Sequence, residues 1–214
     1  MTVTQDKVVV LIPAFNEEKT IGPVVDAARA VSAVSEVVVV ADGCTDATAR
    51  VAAEHGARVV ELTENVGKAG AIKAGLDATE ARIIVTLDAD LIGLVPAHIE
   101  SLIAPVLAGE ADMSVGLFDG GRVATELAQM VTPYLSGQRA LRRELIESIA
   151  DLQELRFGIE VALTKQANQS KARVVEVLLP GVSQVMKEEK RGFMKGFAAR
   201  MKMYRDIVKY VVRN

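Results

Sequence analysis

Two carboxylates on alternate residues, Asp88 and Asp90 in the segment LDADL, are the groups in this chain best suited to a metal ion. They follow the β-branched run RIIVTL (82–87), so they fall at the end of a predicted strand, and the alternate spacing points both to one side. A hard cation such as Mg or Mn, bound to a phosphate ligand, takes only one or two carboxylates from the protein, because substrate oxygens and water complete its shell. The competing reading is that an Asp at a strand end caps the next helix.

Three other segments carry chemistry-bearing residues at comparable places. In PAFNEE (13–18), Pro13 is expected to break the first strand, Asn16 to cap the following helix with Glu17 and Glu18 in its first turn, and Glu17 to contact a nucleoside. In DGCTDAT (42–48), Thr45 is expected to cap a helix whose positive end suits Asp46. Asp42 lies on the strand side of the Gly43 turn, free to accept from a base or ribose. The segment NVGKAGAIKAG (65–75) spaces glycines around Lys68, yet Ala69 stands where a phosphate loop requires Ser or Thr. No GxGxxG follows the first strand, which argues against a nicotinamide or flavin enzyme.

The elements that must position these residues are legible from periodicity. The runs 7–12, 36–41, 57–62 and 82–87 are unbroken rather than alternating, as in strands buried on both faces of a parallel sheet. Segments of helical composition at 17–33, 45–55 and 67–79 lie between them, giving βαβαβαβ and an α/β class with a doubly wound, mainly parallel sheet flanked by helices. Ligands bind beyond the carboxyl ends of such strands, which is where the four segments fall. After residue 97 the pattern predicts a helix (97–108), a strand (111–117), a Gly-rich loop at Asp119–Arg122, mostly helical segments to about 170, a strand (173–179) and a long C-terminal helix. The chain reads as one domain of 1–214, in a first half (1–96), a second half (97–185) and a basic C-terminal helix (186–214).

Taken in order, IPAFNEEKTIG, ADGCTDAT, ENVGKAGAIKAGL and LDADL resemble the corresponding segments of the family 2 glycosyltransferases. The resemblance implies a GT-A fold, a UDP- or GDP-linked sugar donor, Mg or Mn, and inversion at the sugar. It places Pro13, Glu17 and Asp42 in the nucleoside pocket, Lys68 near it, Asp88 on the donor, and Asp88 and Asp90 on the metal. YLSGQRALRRE (134–144) resembles the part that shapes the acceptor side, and FGIEVAL (157–163) a part bearing a late acidic residue. Glu160 is then the candidate general base for a hydroxyl acceptor, beside the plainer reading of an ordinary helix residue. A phosphate acceptor needs cations instead, and Arg122, Arg139, Arg142 and Arg143, with Ser136, resemble the arrangement in members that glycosylate dolichyl or polyprenyl phosphate. LDADLI also looks similar to glycosyl-phosphoglycerate synthases, which resemble this chain less elsewhere and carry a later metal-binding histidine that has no match here. A sugar-phosphate nucleotidyltransferase would open on a GxGTR-like loop, where this chain has PAFNEE; a non-catalytic module of the same fold would not need both Asp88 and Asp90.

Composition narrows the partners. A formal charge of -3 over 214 residues gives no general attraction to nucleic acid. The charge is segregated: from Lys187 to Asn214 nine Lys or Arg face three Asp or Glu. In that tail Phe193, Phe197, Met201, Tyr204, Val208 and Val211 form a stripe at helical period, suited to packing on the domain, on a second copy in a homo-oligomer, or on an anionic membrane bearing a lipid phosphate. One cysteine, Cys44, and no signal-peptide pattern or ~20-residue apolar span fit a cytoplasmic protein, peripheral at most. Replacing Asp90 by Ala should abolish metal-dependent turnover and leave the fold intact; unchanged activity would remove the metal hypothesis.

Overall fold

The computed structural model describes residues 7–118, 136–152, 155 and 158–184. In chain order the elements are β1 (Val8–Ala14), α1 (Ile21–Arg29), β2 (Val34–Asp42), α2 (Thr48–Glu54), β3 (Arg58–Leu62), α3 (Lys68–Asp77), β4 (Ile83–Thr86), β5 (Leu91–Ile92) and α4 (Pro96–Leu107). There follow β6 (Met113–Phe118), β7 (Arg139–Arg142), α5 (Arg143–Glu147), α6 (Ile159–Ser170), β8 (Val174–Leu179) and β9 (Ser183–Gln184). Seven strands form one sheet in the order β3-β2-β1-β4-β7-β6-β8, and β5 with β9 forms a small second one. The C-terminal helix predicted for 186–214 and the Gly-rich loop with Arg122 lie outside the described residues.

The unbroken apolar runs have the predicted cause. Along β1, Val8, Val10 and Ile12 enter one core with α1 and α4, while Val9 and Leu11 enter another with α3, α5 and α6. Each central strand is buried on both faces, so it cannot alternate apolar with polar residues. Parallel pairing of β1 with β2 and β4, and of β2 with β3, follows the βαβ alternation.

Residues 139–142 depart from the expected helix. They form β7, antiparallel to both β4 and β6 at the centre of the sheet. Pro13 likewise does not break β1, which continues to Ala14. Beyond Leu11 the partner β4 has ended, and Pro13 pairs only with Val40 of β2. A proline is tolerated where one side of the strand needs no ladder hydrogen bond.

α3, which carries Lys68 at its first position, lies close against the sheet through Gly75. A Cβ on Gly75 would sit 3.2 Å from both Leu11 and Val40. Gly75→Val should therefore cost about 1–3 kcal/mol by overpacking, read as a lowered urea midpoint. An unchanged midpoint would contradict this helix-on-sheet contact.

Candidate active site

The carboxyl ends of β1, β2 and β4 converge, and their loops are tied to one another. Asn16, in left-handed backbone at φ 55, accepts from Thr45 N at 2.8 Å, and Glu17 N donates to Thr48 Oγ1 at 2.8 Å. Glu18 N donates to Asp46, and Ala47 N to Glu18. Asn16 thus does not cap α1, whose N-cap is Thr20; it clasps the loop after β2. Nor does Thr45 cap α2. The N-cap is Ala47, without a side-chain cap; Asp46 just before it receives Thr48 N at 3.0 Å, and against the desolvation that would raise it, hydrogen bonds from Thr48 and Glu18 bring its carboxyl below the ordinary value. Cys44 reinforces the junction by donating to Ala14 O, with burial raising its thiol pKa.

Asp42 is not free as its sequence position suggested. It is 4% exposed, and its two oxygens accept from Val66 N at 2.8 Å and Gly67 N at 3.0 Å. Its carboxylate fixes the turn into α3 and so sets where Lys68 begins. Gly67, at φ 86, is required by the same turn.

Lys68 reaches into the centre of the site. Its ammonium donates to Asp88 Oδ1 at 2.5 Å and to Glu160 Oε1 at 2.6 Å. Burial disfavours its charge, but Asp88 and Glu160 more than offset this and hold the pKa above the ordinary lysine value. The other Asp88 oxygen receives amide N–H groups from Gln138, at 3.1 Å, and from Gln184. Asp90 is 5% exposed, two residues further on. Gly137 closes over the pair: a Cβ there would lie 2.5 Å from Lys68 Nζ and 2.8 Å from both Asp88 oxygens.

Glu160, in the first turn of α6, is therefore an ion-pair partner of Lys68 and not an isolated base. Of the acceptor residues, Ser136 donates to Gly116 O and fixes the chain before β7. Arg139 departs from its expected place on an open acceptor surface: it is fully buried, donating to Ser136 O and Thr164 Oγ1, and desolvation lowers its pKa to about 10 against the opposing pull of Glu160. Arg142 and Arg143 lie toward the start of β4, because β7 runs antiparallel to it, and bind Asp112 and Glu147. They are at the wrong end of the sheet for this site. Gln138 and Gln184 were not singled out from sequence. Gln138 lies in the SGQRA stretch already marked, whereas nothing in the local sequence distinguishes Gln184.

The donor set fits a hard divalent cation. Among the described residues no cluster of three His, Cys, Asp or Glu could hold a metal; a cation held by Asp88 and Asp90 would take its remaining ligands from other oxygens. Beside them, Gln138 Oε1 is buried without a hydrogen-bond partner, an acceptor left over at the site. Among the described residues no helix is long and apolar enough to cross a membrane.

Comparison with known proteins agrees with this geometry. Residues 9–166 match the family model "Glycosyl transferase family 2". Glucosyl-3-phosphoglycerate synthase of Mycobacterium tuberculosis is 32% identical over 192 residues, covering 72% of this chain and 58% of that protein. Similarity to phosphoglycerate-type enzymes thus extends well beyond LDADLI, contrary to the sequence reading. Dodecaprenyl-phosphate galacturonate synthase of Rhizobium johnstonii is 38% identical over 116 residues, 50% of this chain and 34% of its own. This chain spans only about a third to three-fifths of these relatives' lengths. A crystal structure of the Mycobacterium tuberculosis synthase with Mn2+, UDP-glucose and phosphoglyceric acid superposes with a TM-score of 0.75 at 26% identity, over 97% of this chain and 79% of that one. With the family model matched from β1 into α6 and the fold shared with a nucleotide-sugar enzyme, the chain belongs to glycosyl transferase family 2.

Proposed function

We propose that the chain transfers a sugar from a nucleoside diphosphate sugar, with UDP as the carrier, to a phosphate-bearing acceptor in the presence of Mg or Mn. The observation that carries this reading is the cluster of Lys68, Asp88 and Glu160 beyond the carboxyl ends of the parallel strands, with Asp90 two residues on. The leaving group in such a transfer is a nucleoside diphosphate, whose negative charge grows as the sugar departs. Asp88 and Asp90 would hold the cation, and a bound cation stabilises that charge. Lys68 supplies a second positive group at the start of α3, steered there by Asp42. Pro13, at the end of β1, and Glu17, in the loop beyond it, would face the nucleoside.

Glu160 acts in this reading by holding Lys68, its ion-pair partner at 2.6 Å. The acceptor phosphate is inferred from the relatives, whose names carry dodecaprenyl phosphate in one case and 3-phosphoglycerate in another. The phosphoglycerate-type relative matches more of the chain, which puts a soluble phosphorylated acid ahead of a lipid phosphate.

Isothermal titration with UDP, GDP and their glucose, galactose, GlcNAc and mannose conjugates, with and without Mn, tests the donor. One nucleotide should bind in a Mn-dependent way, and Asp88→Asn should remove that dependence. Mass spectrometry of product formed with phosphoglycerate or a short polyprenyl phosphate then identifies the acceptor. Folded protein that binds none of the donors would sink this reading.

A further inference from the structure

Gln138 is the residue whose chemistry the donor-site reading leaves unfinished. It is fully buried, and its side-chain oxygen Oε1 is the one buried side-chain oxygen or nitrogen among the described residues without a hydrogen-bond partner. A buried amide oxygen left without a donor is destabilising, and burial denies it bulk water as a substitute. The backbone around it is held at three points. Thr86 Oγ1 donates to Gly137 O at 2.8 Å, Gly116 N to Gln138 O at 2.8 Å, and Gln138 N to Ser136 Oγ at 3.3 Å. Gly116 also makes room for the side chain, since a Cβ there would lie 3.2 Å from Gln138 Cβ. The main chain therefore fixes where the side chain starts, next to the Gly137 that closes over Lys68 and Asp88. The amide itself is held by one hydrogen bond, from Nε2 to Asp88 Oδ2 at 3.1 Å.

Resting on the donor-site reading, we propose that Gln138 Oε1 accepts a hydrogen bond from a hydroxyl of the transferred sugar, so that Gln138 selects the donor by its sugar. An amide oxygen accepts and cannot donate, and ionised phosphate oxygens also only accept, so the diphosphate is no partner for it. The sugar is bonded to that diphosphate, and its hydroxyls are the nearest donors beyond it. They are present whichever phosphorylated acceptor receives the sugar. Asp88 governs when the contact forms. Its Oδ2 also receives the Gln184 amide, and a cation on Asp88 draws on the lone pairs that hold both amides. Released from that bond, the Gln138 amide turns about its last torsion and brings Oε1 out of its buried place toward the sugar. A site that sets aside a buried group for a ligand hydroxyl rejects the ligand that lacks it, because the group is then left unpaired.

The test is the affinity of the full chain, in saturating Mn2+, for UDP-glucose and its 2-, 3-, 4- and 6-deoxy analogues, measured by titration in wild type, Gln138→Met and Gln138→Asn. Gln138→Asn keeps an amide but withdraws it by one methylene, and is the milder change in a fully buried place; melting temperatures show that each variant is folded. In wild type one analogue should bind about tenfold or more weakly than UDP-glucose. In both variants that analogue and UDP-glucose should bind equally. Any loss caused by freeing Asp88 falls on parent and analogue alike and cancels from their ratio, so the ratio separates a contact with the sugar from support of the carboxylate. Wild-type protein that binds all four analogues as tightly as UDP-glucose would overturn the proposal. So would a wild-type ratio that survives in the folded variants, because another group would then read that hydroxyl. Wild-type protein that fails to bind UDP in Mn2+ would instead sink the donor-site reading beneath it.

Discussion

Lys68 stands between Asp88 and Glu160, at 2.5 and 2.6 Å, and joins the start of α3, the end of β4 and the first turn of α6. All three side chains are largely shielded, with 27%, 18% and 17% of their surface exposed. Such a trio contributes little net stability, because desolvation consumes much of the attraction, yet removing one member leaves buried charge uncompensated at about 3–5 kcal/mol. Its consequence is geometric. Asp88, Asp90 and Glu160 stand against Lys68 and the buried Arg139, so in the proposed reading one negative charge is in excess for a cation, and the ammonium with that cation would form a positive patch for a diphosphate.

The rest of the fold holds these groups in place. Burial of the central strands on both faces fixes their register, and register fixes where each strand ends. Asp42 then sets the turn into α3 through two backbone N–H groups, while the β5–β9 ladder and the β7 strand bring Gln184 and Gln138 onto Asp88. Gly137 matters because no side chain fits above the Lys68–Asp88 pair. Residues distant in sequence meet at one carboxylate, so the site forms only when the sheet is complete.

The first half of this architecture was legible because it rests on local rules. Unbroken runs such as EVVVVA and RIIVTL signal doubly buried parallel strands, and topology then puts Asp88 at a strand end. β7 was hidden because RALR has no strand signature, and a fully buried arginine is rare enough that Arg139 read as surface. Asn16 and Thr45 were misjudged as helix caps, and Asp42 as free of partners, for one reason: short polar side chains near strand ends can satisfy backbone groups on neighbouring loops as readily as on their own. Gln184 left no trace because its role comes from a two-residue ladder across the fold.

The central claim is that the buried cluster is a receptor for a diphosphate and not for a nucleoside alone. Comparing UDP and uridine affinities, each with and without Mn2+, in wild type and Lys68→Met tests it most directly. The account predicts that Mn2+ strengthens UDP binding and not uridine binding, and that Lys68→Met weakens UDP while sparing uridine. Equal affinities for UDP and uridine, indifferent to Mn2+ and to Lys68, would contradict it.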